Sequence, residues 1–145
     1  MSDKTERASA YSDASFNCAQ AVFAAFADDY DIETEVALRI SGGFGGGMRC
    51  GELCGALTGG VMVVGAAKGQ YLENDSGARE NCNAATMAFT AAFRSRYVCI
   101  TCRELLGVDT STPEGQAKFV EENMFKTKCS GYIKSAVEIL EEQGF

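Results

Sequence analysis

Apolar residues in this chain recur every three to four positions, and no segment sustains the two-residue alternation of a half-buried strand. The pattern predicts helix throughout. A first helix is expected over 5–27, where Tyr11, Cys18, Val22 and Phe26 share one face. Asp31 is placed to cap a short helix over 32–40, which stops at Ser41-Gly42-Gly43. The run Gly42 to Gly47 reads as a loop, because glycine is costly inside regular elements. A glycine-rich buried helix is expected over 50–68. An Ala- and Phe-rich helix follows over 76–97, with Cys82, Ala85, Phe89 and Phe93 on one face. A short helix over 99–106 ends at Gly107. Thr112-Pro113-Glu114 combines a cap, a proline at the first helical position and an early acid, predicting a helix to about residue 123. The last helix, over 128–143, groups Cys129, Ile133, Ala136 and Leu140. The expected fold is all-α: a compact bundle of about five to six helices in a single domain over 1–145, with no internal repeat or linker.

Composition narrows what such a bundle can do. With 13 Lys plus Arg against 20 Asp plus Glu, the net charge is −7, which speaks against nucleic acid as a partner. Histidine is absent, so the usual general base and the usual imidazole ligand are both missing. The longest uncharged apolar stretch, 53–67, holds four glycines and falls short of the ~18–20 residues of a membrane span. The polar start MSDKTERASA lacks the apolar region of a secretory signal, so a cytoplasmic location is expected. The acidic run Asp28, Asp29, Asp31, Glu33 and Glu35 reads as a solvated surface, with steering of a basic redox partner as its sharper alternative.

The candidate chemistry lies in seven cysteines at 18, 50, 54, 82, 99, 102 and 129. In a reducing compartment, cysteines are metal ligands, reactive thiols or core residues more often than permanent disulfides. Cys82, beside Ala85 and Phe89, reads as core filling. On one helix, Cys50 and Cys54 would have Cβ atoms ~5–6 Å apart. That is wider than the ~3.5–4.5 Å of a disulfide, so the pair suits a shared metal. Cys99 and Cys102 form Cys-x-x-Cys at an expected helix start, where the helix dipole and nearby Arg94, Arg96 and Arg103 favour the thiolate. Gly51, Gly55 and Gly59 fall four apart, as close approach of a second helix or a bound group would require. The glycine run fits no phosphate-loop motif, which leaves a nest for an anion as its sharper reading.

Four segments in order, Asn17-Cys18-Ala19-Gln20-Ala21-Val22, Gly43-Phe44-Gly45-Gly46-Gly47-Met48, Gly51 to Gly60 (GELCGALTGG) and Cys102-Arg103-Glu104-Leu105-Leu106-Gly107, resemble the C_GCAxxG_C_C family, named for its cysteine pattern. The resemblance runs from about residue 10 to 140. It implies a helical fold and redox or metal-cluster chemistry, and assigns the pattern to Cys18, Cys54, Cys102 and Cys129. Cys50, Cys82 and Cys99 are then additions of this chain, with Cys50 and Cys99 still able to ligate beside their neighbours.

Three readings of function follow. In the first, a redox module that is at most weakly catalytic binds an iron–sulfur cluster or another soft metal through Cys18, Cys54, Cys102 and Cys129. In the second, Cys99 and Cys102 are the catalytic pair of a thiol–disulfide exchange protein. In the third, a partner-binding bundle buries inert thiols. The partners in view are a redox protein and a second copy of the chain.

Overall fold

A computed structural model describes residues 2–145. Eight α-helices follow one another among them: α1 Asp3–Asp13, α2 Cys18–Ala27, α3 Thr34–Ile40, α4 Gly55–Lys68, α5 Ser76–Tyr97, α6 Cys102–Leu106, α7 Pro113–Glu121 and α8 Ser130–Glu142. The all-α expectation holds, with more and shorter helices than the sequence suggested. The only β-type pairing among the described residues is an isolated antiparallel bridge between Leu53 and Thr101. Among the described residues, no helix is long and apolar enough to cross a membrane.

The single helix expected over 5–27 is two. Ser15 takes a left-handed φ of 72° and breaks it. Asn17 then restarts the chain with a capping box: its side chain accepts the Gln20 amide, and the Gln20 side chain accepts the Asn17 amide, both at 2.9 Å. Nearly every residue of α2 is buried, and it forms the middle of the bundle against α1, α4 and α8. Val22 and Phe26 meet Phe89 and Phe93 of α5, Val63 and Val64 of α4, and Ile133, Ala136 and Leu140 of α8 in one core. Ala19 and Gly59 let α2 and α4 approach closely. A Cβ on Gly59 would lie 2.6 Å from the Ala19 carbonyl oxygen, which identifies one packing role for the glycines.

The helix expected over 50–68 begins only at Gly55. Gly46, Met48 and Arg49 adopt φ of 62°, 60° and 58° with ψ of 20–33°, a turn of left-handed backbone, and Gly51 follows at φ 72°. Cys50 and Cys54 therefore do not share a helical face, and Gly51 leaves the glycine stripe. The helix expected from residue 99 likewise begins at Cys102, capped by the Thr101 side chain. Cys99 precedes it in an extended segment, entered through a γ-turn at Val98 (φ 68°, ψ −43°) that the Cys99 amide closes onto the Tyr97 carbonyl at 2.7 Å. Asp31 is left-handed at φ 57° and ends the preceding turn, so α3 starts at Thr34 instead. The Thr112-Pro113 start is as expected. Before α8, a wide helical turn over Phe125–Cys129 runs without a break into the helix.

Candidate functional site

Cys18, Cys54, Cys102 and Cys129 line one cavity of about 210 Å³. Cys18 and Cys54 do not sit inside helices, as the periodicity suggested, whereas Cys102 and Cys129 stand at helix starts as expected. Cys18 is the first residue of α2, Cys54 the cap of α4 and Cys102 the first residue of α6. Three helix N-termini, with their positive dipole ends, thus meet at the thiols. Cys129 closes the ring from the junction into α8.

Two of the four are set by backbone pairing. Around the Leu53–Thr101 bridge, the Cys54 amide donates to Ile100 at 2.9 Å and the Cys102 amide to Glu52 at 2.6 Å. Residues flanking a bridged pair point to the opposite face of the ribbon from the pair itself. Cys54 and Cys102 therefore turn inward together while Leu53 stays partly exposed. The third is set by a missing side chain: a Cβ on Gly55 would overlap the Cys18 sulfur. A buried apolar shelf of Leu106 and Met124 packs beside Cys129, with Phe119 and Phe125 along its edge.

The family model described as "Putative redox-active protein (C_GCAxxG_C_C)" matches residues 16–143. This chain belongs to that family. No curated protein and no solved structure matches it. In this C_GCAxxG_C_C protein, the four cysteines that the resemblance assigned to the pattern are the four that face the cavity.

Burial dominates their electrostatics. It pushes the Cys18 thiol up, against the pull of backbone amides from Ala19, Cys18, Gly55 and Gly46 around the sulfur. It pushes Cys54 and Cys129 up as well, and neighbouring thiolates of the same ring add to the rise. Cys102, nearer the surface, is pushed from 9.0 up to about 11 by burial and by Cys18, while the Thr110 hydroxyl and the Arg49 guanidinium oppose the shift. Tyr132, whose hydroxyl donates to the Leu105 carbonyl at 2.8 Å, is raised to about 12 by burial and then by Cys129. The ring is therefore a set of neutral thiols near pH 7. Four thiolates would need a positive counter-group between them. Among the described residues, no group of three or more Cys, Asp or Glu side chains is close enough to hold a single metal ion.

The other three cysteines lie off the cavity lining. Cys50 is exposed and its thiol donates to the Gly47 carbonyl at 3.3 Å. Cys99 is half-buried in the extended segment, so Cys102 alone of the pair stands at the helix start, and there burial raises the thiol where the helix dipole was expected to lower it. Cys82 is half-buried on α5 against the core, as its flanking residues indicated. All seven are free thiols.

Sequence reasoning passed over Arg49, Thr110, Gln116 and Tyr132, which share the cavity wall. Only Arg49 carried a signal, as a lone cation two residues after the glycine run and beside a cysteine. The acidic run on the far side is partly neutralised. Lys4 pairs with Asp29 at 2.6 Å, Arg7 with Asp28 at 3.8 Å and Arg39 with Glu35 at 3.1 Å.

Proposed function

We propose that Cys18, Cys54, Cys102 and Cys129 hold an iron–sulfur cluster, or another soft-metal group, for electron transfer. The observation that carries this reading is the arrival of four thiols from four separate segments at one cavity. The donor set suits it, since soft thiolate ligands select iron–sulfur clusters, Cu(I) and zinc. The size suits it too. About 210 Å³ falls below the roughly 300–1,000 Å³ of organic cofactor and drug-sized sites, and is ample for an inorganic group. Thiols spread around a cavity favour a multi-atom group over a lone ion.

An iron–sulfur cluster or copper, when bound, would supply single-electron transfer, which zinc would not. The chain's own residues supply the rest. The four thiols release their protons on loading, and the helix starts of α2, α4 and α6 place amides against the resulting negative charge. The amides around Cys18 favour its thiolate, and Lys128 does the same for Cys129. Leu106, Phe119 and Phe125 keep the inner wall apolar and limit water.

Protein purified without air tests the reading. Visible absorbance accompanied by iron and acid-labile sulfide supports it. A colourless, metal-free protein with fast dithiothreitol-reversible oxidation at Cys99 and Cys102 would overturn it in favour of thiol–disulfide exchange.

A further inference from the structure

We propose that Arg49, Thr110 and Gln116 form a binding subsite for a small oxyanion at the rim of the thiol cavity. The subsite shares the cavity with the cluster reading but does not require a metal to be present.

The first observation is a buried polar group with nothing to bond. Thr110 is 3% exposed, lines the cavity, and its Oγ1 has no hydrogen-bond partner. The hydroxyl lies near enough to the Cys102 sulfur to oppose the rise of that thiol, but it makes no hydrogen bond that would satisfy it. Native proteins seldom leave a buried hydroxyl unsatisfied unless a ligand or water completes it. Gln116 repeats the pattern: its Oε1 is buried, faces the same cavity and is also unpartnered. A flip of the amide presents two N–H donors in its place.

The second observation is an uncommitted positive charge beside them. The Arg49 guanidinium lines the cavity, and its Nη2 donates to the Thr110 carbonyl at 3.3 Å. Among the described residues it makes no salt bridge. The nearby carboxylates are engaged elsewhere. Glu52 accepts from Arg103 at 2.8 Å, and Asp109 accepts from the Ser111 amide at 2.9 Å and from its hydroxyl.

The backbone brings these groups together. A Cβ on Gly46 would stand 2.6 Å from Arg49 Nη1 and 3.2 Å from Thr110 Oγ1, so both groups lie against the same bare backbone. Met48 and Arg49 are held in left-handed conformation to achieve this, a strain that ordinary loops avoid and ligand clamps retain. A guanidinium fork, a hydroxyl and an amide converging on a small space match the oxygens of a carboxylate or of a tetrahedral inorganic oxyanion. A cavity of about 210 Å³ suits a small oxyanion better than a ligand of nucleotide size.

The test uses the full chain, reduced and metal-free, titrated calorimetrically with sodium sulfate and, separately, sodium acetate in a low-salt buffer. Saturable one-to-one binding of at least one anion is expected. Preference for sulfate assigns an inorganic oxyanion, and preference for acetate a carboxylate. Arg49→Gln should weaken binding at least about tenfold, as loss of a charge-assisted contact implies. Arg49→Gly should weaken it equally while leaving the melting temperature unchanged or higher, because glycine adopts φ 58° without strain. Thr110→Val should weaken binding by a smaller factor. Arg103→Gln, which removes an exposed charge already paired with Glu52, should leave it unchanged. Absence of saturable binding, or binding that survives Arg49→Gly, overturns the subsite. So does equal loss in Arg103→Gln, since binding would then follow net charge alone. These outcomes stand apart from the cluster reading: iron without anion binding removes the subsite only, and anion binding without iron removes the cluster only.

Discussion

The sulfur of Cys18 occupies the space that a side chain at Gly55 would fill. The two residues open different helices, α2 and α4, and the Gly55 amide is one of those turned toward the Cys18 sulfur. The Cys54-Gly55 pair thus does two jobs. Its cysteine supplies one thiol, and its glycine makes room for another.

Gly55→Ala should therefore displace Cys18. The added methyl cannot be accommodated without moving the thiol or the helix start, a cost of about 1–3 kcal/mol for overpacking. Gly65, on the exposed side of the same helix, has no atom within 4 Å of an added Cβ, so Gly65→Ala should stabilise by about 0.5–1 kcal/mol. Urea unfolding of the two variants checks the opposite signs, and a metal assay checks that only Gly55→Ala disturbs the cavity.

The cysteines should divide by position. Serine at 18, 54, 102 or 129 is expected to abolish or alter the bound group, read from the visible spectrum and iron content. Cys82→Ser should leave the spectrum intact and cost on the order of 1 kcal/mol of packing. Cys50 and Cys99, which lie off the cavity lining, should show effects no larger than partial. Equal small losses at all seven positions would mean that the thiols are inert core residues.

Stability of the metal-free, reduced protein should fall at alkaline pH. In the unfolded chain Cys102 ionises near 9.0, whereas in the fold it holds its proton to about 11. Below pH 9 both states are protonated and the contribution is fully present. Between 9 and 11 the unfolded state sheds a proton that the folded state keeps, so stability drops as pH rises. Cys18, Cys54 and Cys129, raised in the same direction, steepen the fall. Melting temperatures across pH 7–11 measure it. A flat profile above pH 9 would show that the thiols are not desolvated as described.

Asn17→Ala should cost about 0.5–2 kcal/mol, because it removes one half of the capping box that starts α2. It also removes the bond from Asn17 Nδ2 to the Gly42 carbonyl at 3.1 Å, which ties that helix start to the glycine loop. Thermal unfolding gives the stability loss. Faster hydrogen exchange at the amides of residues 42–47 would report the freed loop.

The helical character of the chain was legible in the sequence, because amphipathic spacing and caps are local. The α5 boundaries, the Thr112-Pro113 start and the inward row Cys129, Ile133, Ala136 and Leu140 all follow from residues within a turn or two of one another. The break at residues 14–17 was legible too, in the Asn17 to Gln20 spacing of a capping box, but the apolar face running through Tyr11 and Cys18 concealed it. The C_GCAxxG_C_C resemblance singled out the four cysteines of the cavity. Only the tertiary structure decided how they meet. The left-handed turn at Gly46 to Arg49 has no periodic signature, and the Leu53–Thr101 bridge joins segments far apart in the chain. Both trade helical hydrogen bonds for contacts that exist only once the bundle has closed. Cys18 and Cys54 consequently stand at helix starts, where local spacing had put them inside helices, and Arg49 and Thr110 reach the same cavity from separate loops.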